Sequence, residues 1–197
     1  MTPDPEQLRE LGENSTNVAN AWAGAADYLS RGLKAWTRQT IGRDRVVAVR
    51  AAVAACALVV DSYGEGQPGL PPRKYVDEMI AAIRSWLDEP SRENAEAVRL
   101  LLDVTRSAHA WQREQDVAPF WILDAVDHAS LAVWSGERAS YIVPMDYATC
   151  AARSVACVLH AMLDAKVSEA TAIAAIGDAV SAAVRRNHVE SSGAGTR

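Results

Sequence analysis

Residues 46–60 read VVAVRAAVAACALVV, a run in which Arg50 is the only charged residue. A helix built from this run is apolar around most of its circumference, so it needs neighbouring helices on more than one side. Similar runs recur along the chain, and none has the sustained alternation of apolar and polar residues that is typical of a β-strand. The sequence therefore predicts an all-α, single-domain multi-helix bundle with about seven or eight helices.

Capping residues and turn residues divide the chain into predicted helices. Ser91 and Ser168 suit helix N-termini, and Gly42 with Asp44 suits a turn before the third helix. Gly64 suits a left-handed C-terminal cap for that helix. The predicted helices span residues 5–11, 16–40, 44–63, 73–88, 91–111, 118–134, 146–163 and 168–188.

An internal duplication is indicated by residues that recur at a constant spacing of 72. In both copies an apolar helix leads through a Gly-Glu turn and a loop ending in proline into a second apolar helix. Such a unit, made twice, is expected to pack on itself. The matching residues are Gly64-Glu65 with Gly136-Glu137, Pro72 with Pro144, and Tyr75 with Tyr147.

The duplication predicts how the domain is organised. The repeat units cover about 44–111 and 116–187, within a single helical domain over 1–188. We expect the third, fourth, sixth and seventh helices to form a central pseudo-twofold bundle, because their small side chains allow close approach. The polar residues 189–197 are expected to be a disordered tail.

The net charge of the chain and its distribution indicate which kinds of molecule it can bind. A net charge of −5 argues against nucleic acid, which needs a concentrated basic surface. Between residues 61 and 146 there are 15 acidic and 8 basic residues, a local net charge of −7. An acidic middle of this kind can attract another protein of basic character, and it is also typical of the solvated surface of a soluble protein.

The location of the protein is predicted to be cytoplasmic. The N-terminus MTPDPEQLRELGENST lacks the basic and apolar regions of a signal peptide, and no apolar run is long enough to span a bilayer. We therefore expect no membrane association. The cysteines are Cys56, Cys150 and Cys157, an odd number within apolar stretches, which favours reduced core thiols over disulfides.

Two groups of residues could carry chemistry. Cys150, Cys157 and His160 share a face of the seventh helix, but they lack the short Cys-x-x-Cys pair of a zinc site. Asp124 and His128 lie one turn apart on the sixth helix, without a matching nucleophile. No phosphate-binding loop or metalloprotease motif is present. The sequence therefore favours a protein without catalytic activity, metal or cofactor.

The tryptophans indicate where a partner could bind. Six tryptophans stand against a single phenylalanine, and Trp and Tyr are typical of half-buried positions and interfaces. Trp111 and Trp134 lie beside the charged stretches WQREQD and WSGER. We expect these two to contact a partner, and the other tryptophans to belong mainly to the core.

The segment 56–134 contains a Cys-Ala helix, a loop, a Pro-Arg step, an Ala-Ile pair and a tryptophan. These features are Cys56-Ala57, Pro71-Pro72-Arg73, Ala82-Ile83 and Trp86, followed by Ala108-His109 or His128-Ala129. In this pattern the segment resembles a family of small all-helical bacterial immunity proteins that neutralise polymorphic toxins. Proline replaces the first arginine of the family pattern, and the acidic cluster of its loop is reduced to Glu65. The resemblance implies a cytosolic protein that blocks a toxin without chemistry of its own.

Three hypotheses follow for the function. The first is a non-enzymatic, immunity-like protein-binding module that contacts a basic partner through Glu65, Arg73, Asp77, Glu78, Trp111 and Trp134. The second is a small-ligand sensor or enzyme with a site at the pseudo-twofold helix interface, near Asp124, His128 and Cys157. The third is an oligomeric scaffold or assembly subunit, and the sequence leaves a homodimer open.

Overall fold

The computed structural model describes residues 2–14, 28–64, 70–109, 118–134 and 145–193. This part of the chain folds into eight α-helices without a β-strand, which confirms the all-α prediction. A short 3₁₀ turn at Val60–Ser62 follows the third helix. The helices are α1 (Pro5–Glu13), α2 (Tyr28–Ile41), α3 (Arg45–Cys56), α4 (Arg73–Asp88), α5 (Arg92–His109), α6 (Ala118–Trp134), α7 (Tyr147–Asp164) and α8 (Glu169–Gly193).

Side-chain caps set the start of five helices. The capping residues Asp4, Asp44, Ser91, Asp146 and Ser168 each accept a hydrogen bond from the main-chain N–H three residues later, at 2.6–3.3 Å. Each cap satisfies one of the N–H groups that a helix leaves unpaired at its N-terminus. The predicted caps at Ser91 and Ser168 are therefore confirmed.

The third helix is shorter than predicted, because α3 ends at Cys56 instead of residue 63. Val59 leaves the helical path with a φ of −127°, and the chain continues as the 3₁₀ turn. This change of direction brings the Tyr63 hydroxyl to the carbonyl of Pro71, to which it donates at 2.7 Å. A straight helix would carry Tyr63 about 10 Å beyond Cys56 along the α3 axis.

Other boundaries differ from the prediction in smaller ways. Gly64 is not left-handed; among the described residues a positive φ occurs at Gly42 and at Lys166. At the C-terminus α8 continues to Gly193, past the predicted end at residue 188. Residues 15–27, which include the predicted start of the second helix, and residues 194–197 lie outside the described part of the chain.

The centre of the fold consists of α3, α6 and α7. α6 and α7 form the most extensive helix contact, and α3 packs against both of them and against α8. The contact surfaces consist largely of alanine, and small side chains let helix backbones approach closely. The completely buried alanines are Ala48, Ala51, Ala52 and Ala55 on α3, Ala125, Ala129 and Ala132 on α6, and Ala151 on α7.

The remaining helices surround this centre. α2 packs on α7, and α1 packs closely on α2. α4 and α5 are joined by residues 89–91 and pack against each other and against α6. No helix in the described part of the chain combines the length and the apolar character needed to cross a bilayer.

The internal duplication stays a prediction. α6 and α7 are in extensive contact, whereas the equivalent pair of the first repeat, α3 and α4, contact each other much less. The matched tyrosines also differ: Tyr75 is buried and donates to Asp127, but Tyr147 is half-buried and donates to the Arg43 carbonyl. The matched residues Glu65, Gly136 and Pro144 lie outside the described residues.

Two glycines allow the close contact between α1 and α2. A Cβ atom at Gly12 would lie 1.9 Å from the carbonyl oxygen of Tyr28, and one at Gly32 would lie 1.6 Å from the carbonyl oxygen of Leu8. Main-chain atoms cannot move aside as a flexible side chain can. Any larger residue at these positions therefore has to push the two helices apart.

We predict that Gly32→Ala destabilises the protein by about 2 kcal/mol, because overpacking against a main chain forces a backbone shift. The matched control is Gly64→Ala, where an added Cβ meets nothing within 4 Å and φ is not positive. The control is expected to change the free energy of unfolding by less than about 0.5 kcal/mol. Urea unfolding measures both values, and equal stabilities of the two variants would contradict the α1–α2 contact.

Candidate functional site

Helix α6 carries a polar stripe within an otherwise apolar sequence. Asp124 lies three residues before Asp127 and four residues before His128, so it neighbours each of them on the helix surface. Asp127 is buried, while the side chains of Asp124 and His128 are 24% and 12% exposed. A polar stripe in the most extensive helix contact of the fold needs partners, because unpaired polar groups are costly to bury.

Asp124, His128 and Cys157 converge where α6 meets α7. The Cys157 thiol donates a hydrogen bond to Asp124 Oδ2 at 3.3 Å. His128 Nδ1 lies 3.5 Å from the same oxygen and 2.8 Å from the main-chain oxygen of Asp124. The three side chains named in the second hypothesis are therefore brought together, with their ligand atoms all within 4.8 Å of one another.

The surroundings of Cys157 keep its thiol protonated. Burial raises the pKa of Cys157 well above its ordinary value of 9.0, and the nearby negative charge of Asp124 raises it further. The ammonium group of Lys34 acts in the opposite direction, but it is the smallest of these influences. A neutral thiol is a poor nucleophile. In this arrangement Cys157 acts as a hydrogen-bond donor to the carboxylate.

Asp127 forms a second buried contact, between α6 and α4. Its Oδ1 accepts a hydrogen bond from the Tyr75 hydroxyl at 3.1 Å, and both residues are buried. Asp127 also affects Tyr63, whose pKa is raised to about 12 by burial and then by the negative charge of Asp127. The polar stripe of α6 thus contacts both α4 and α7.

A third buried contact joins the three central helices. Ser154 on α7 donates to the main-chain oxygen of Ala125 on α6 at 2.7 Å. The Cys56 thiol on α3 lies 3.4 Å from the Ser154 hydroxyl. Because the single hydroxyl proton of Ser154 goes to Ala125, Cys56 is the donor in this contact. Burial raises the pKa of Cys56 from 9.0 to about 11.

The predicted group of Cys150, Cys157 and His160 does not form one site among the described residues. Cys157 contacts Asp124, whereas the His160 ring stacks on Trp121 with ring centroids 4.6 Å apart. Both contacts are with α6. Cys157 and His160 therefore share a face of α7, as predicted. That face packs against α6.

The surface residues predicted to bind a partner form ion pairs within the chain. Arg73 Nε donates to Asp77 at 2.8 Å, and Arg73 Nη2 lies 3.2 Å from Asp61. These carboxylates raise the pKa of Arg73. Lys74 and Glu78 form a further pair at 3.5 Å, with 81% and 51% of their side chains exposed. All these charges lie at the start of α4 and in the turn before it.

Helix α5 adds a second charged group. Arg99 pairs with Glu96 and with Asp103, one turn before and one turn after it. Leu100 lies on the same surface and is 52% exposed, the most exposed of the large apolar residues that the structure describes. α4 and α5 are joined by residues 89–91 and pack against each other, so both charged groups belong to one helical hairpin. We call Asp77, Glu78, Glu96, Arg99, Leu100 and Asp103 the hairpin surface.

Three predicted contact residues remain to be placed. Glu65 and Trp111 lie outside the described residues. Trp134 is the last residue of α6 and is half-buried. Its indole Nε1 is buried and has no hydrogen-bond acceptor among the described residues, so this polar edge does not face solvent.

The burial of several polar residues on α2 and α7 was not predicted from the sequence. Ser30, Lys34 and Thr37 are all buried on α2, and Ser154 is completely buried on α7. For α2 a signal was present, since these three polar residues recur at steps of four and three. For Ser154 no such signal exists, because a single serine in an alanine-rich helix is equally typical of its exposed side.

Comparisons of the chain with protein-family models, with curated proteins and with solved structures found no match. The polar cluster at the α6–α7 contact and the hairpin surface are therefore the two features from which we infer a function.

We predict that the protein loses stability as the pH rises from about 9 to about 11, because unfolded Cys56 releases its proton in this range and folded Cys56 keeps it. A group whose pKa is raised on folding stabilises the folded protein fully at pH values below its pKa in the unfolded chain. This stabilisation is lost as the pH rises to the pKa in the folded protein. For a shift of this size the contribution is about 2–3 kcal/mol.

The measurement is urea unfolding of the wild type and of Cys56→Ala at several pH values between 8 and about 11.5. The variant is expected to start from a lower stability and to decline less steeply, since it lacks the contribution of the Cys56 thiol. Parallel curves for the two proteins would show that Cys56 does not carry a raised pKa.

Proposed function

We propose that the chain is a non-enzymatic helical domain that binds another protein in the cytoplasm, in the manner of an immunity protein that blocks a basic toxin. The observation that carries this proposal is the hairpin surface, where an exposed leucine lies among exposed carboxylates. An apolar anchor with a polar, charged rim is the usual composition of a protein interface.

The charges of the hairpin surface remain available to a partner. Exposed ion pairs such as Lys74–Glu78 contribute little to stability, typically less than about 1 kcal/mol. A basic partner can therefore replace the internal cation at small cost. Carboxylates in such a position accelerate association with a basic protein and contribute to its specificity.

The polar cluster of α6 and α7 supports a non-enzymatic function. Its thiol is buried and kept neutral, and His128 Nδ1 lies within hydrogen-bond distance of a main-chain oxygen. The Cys157 thiol is therefore not prepared to act as a nucleophile toward a substrate. A net charge of −5 is also unsuited to binding nucleic acid.

We predict that reversing charge on α4, with Asp77→Lys and Glu78→Lys together, slows association with the partner about tenfold or more at low salt. The matched control is Glu10→Lys with Glu13→Lys, which makes the same charge change on exposed positions of α1. The control is expected to change the association rate much less. Raising the salt concentration should reduce the difference between the two variants.

The partner for this measurement is obtained by affinity capture of the tagged wild-type chain from its native lysate, with identification by mass spectrometry. Association rates are then measured with the purified partner. If no protein is captured in stoichiometric amounts, or if both double variants associate equally fast, the proposal is wrong.

We also predict that Leu100→Ser increases the dissociation rate of the complex, by about tenfold, while the association rate stays nearly unchanged. Truncation of a central apolar anchor typically costs 1–2 kcal/mol or about tenfold in affinity, and it does not change the charge. Leu58→Ser is the control, because Leu58 is similarly exposed, at 40%, but lies in the turn after α3. Equal effects of both substitutions would contradict the role of Leu100.

A further inference from the structure

We propose that Asp124, His128 and Cys157 form a binding site for one divalent transition-metal ion of the Zn²⁺ type. The inference is independent of the proposed protein partner and differs from the sequence-based expectation of no metal. It rests on the kinds of donor atoms, on their separations and on the rigidity of the two helices that carry them.

The donor atoms are those that zinc prefers in proteins. A thiolate sulfur, an imidazole nitrogen and a carboxylate oxygen are all common zinc ligands, and soft or intermediate donors favour transition metals over calcium and magnesium. The sequence indicated Cys150, Cys157 and His160, all on α7, as possible ligands, but they lack a short cysteine pair. The structure instead assembles one residue of α7 with two residues of α6.

The separations of the donor atoms fit a tetrahedral site. With zinc bonds of about 2.0–2.3 Å, two donors of a tetrahedron are about 3.4–3.6 Å apart. The observed separations from Asp124 Oδ2 are 3.3 Å to Cys157 Sγ and 3.5 Å to His128 Nδ1. The remaining separation, between sulfur and nitrogen, is within 4.8 Å. Side-chain rotations that release His128 Nδ1 from the main-chain oxygen of Asp124 bring the three donors around one ion.

The two helices hold the donors in place. Asp124 and His128 are one turn apart on α6, and Cys157 lies on the facing helix α7 across the most extensive contact of the fold. The carboxylate keeps 24% of its exposure, so the cluster can be reached from solvent. Three protein ligands and an approach from solvent leave the fourth position of a tetrahedral ion for water.

Binding of the ion requires a balanced movement of protons. Cys157 releases its thiol proton to solvent and binds as a thiolate. When His128 is neutral and its Nδ1–H donates a hydrogen bond to the Asp124 carbonyl, the ring has to change to the tautomer that carries its proton on Nε2. The lone pair of Nδ1 is then free to bind the ion. The hydrogen bond to the main-chain oxygen is then replaced by the metal bond.

The test is titration of the full-length, metal-free protein with Co²⁺, which reports on its ligands through its absorption spectrum. We expect one Co²⁺ per chain, with tetrahedral d–d bands in the visible region and a thiolate-to-metal band in the near ultraviolet. Addition of Zn²⁺ should displace Co²⁺, because zinc binds such sites more tightly. Absence of a stoichiometric thiolate band in the wild-type protein would overturn the proposal.

Three variants identify the site. Cys157→Ala should lose the thiolate band, whereas Cys150→Ala, which removes another buried thiol of α7, should retain it. Asp124→Asn changes a partly exposed group and is the least disruptive test, with an expected loss of affinity of about tenfold or more. Circular dichroism checks the fold of each variant.

An independent readout is the effect of Zn²⁺ on thermal unfolding. A ligand that binds the folded state raises the midpoint of unfolding, so Zn²⁺ should stabilise the wild type and Cys150→Ala but not Asp124→Asn. Equal stabilisation of all three proteins, or an unchanged thiolate band in Cys157→Ala, would show that the metal binds elsewhere and that the proposal is wrong.

Discussion

The close packing of α3, α6 and α7 through alanine is the constraint on which the rest of the structure depends. Alanine brings helix axes together but buries little apolar surface per residue, so the contact has to be extensive. The long apolar helices meet this requirement because they are buried on more than one side. The outer helices α1, α2, α4, α5 and α8 then cover the faces that the central three leave open.

Polar groups in such a tightly packed centre have to be paired, and the pairing fixes how the helices are aligned. Ser154 bonds the main chain of α6 and accepts from Cys56 of α3, so a sliding of any one helix would break a buried hydrogen bond. Asp127 and Tyr75 align α4 with α6 in the same way. The cost of leaving such groups unpaired, about 1–3 kcal/mol each, disfavours other alignments.

Features with a local cause could be predicted from the sequence. The starts of α4 and α6 follow from Pro72 and Pro119, and the starts of α5 and α8 follow from serine caps, since these effects act within one turn of the chain. The early end of α3 depends on the contact of Tyr63 with Pro71, which lies across a loop. Nothing within residues 44–63 signals that contact, so the helix was predicted too long.

The candidate site shows the same division between local and distant causes. The spacing of Asp124 and His128 on α6 follows from helix geometry and was predicted. The contact of Cys157 with Asp124 joins residues 33 positions apart, and it depends on how α6 and α7 are rotated against each other. The count of acidic residues between positions 61 and 146 includes Asp127, which the structure buries against Tyr75, so this charge does not belong to the surface.

We expect α3, α6 and α7 to form the most stable part of the fold. Native-state hydrogen exchange, followed by mass spectrometry, measures the local free energy of opening along the chain. The slowest amides are predicted to lie in α3, α6 and α7, and those of α4 and α5 to exchange faster. Slowest exchange in the α4–α5 hairpin, with fast exchange in α3, would contradict this prediction.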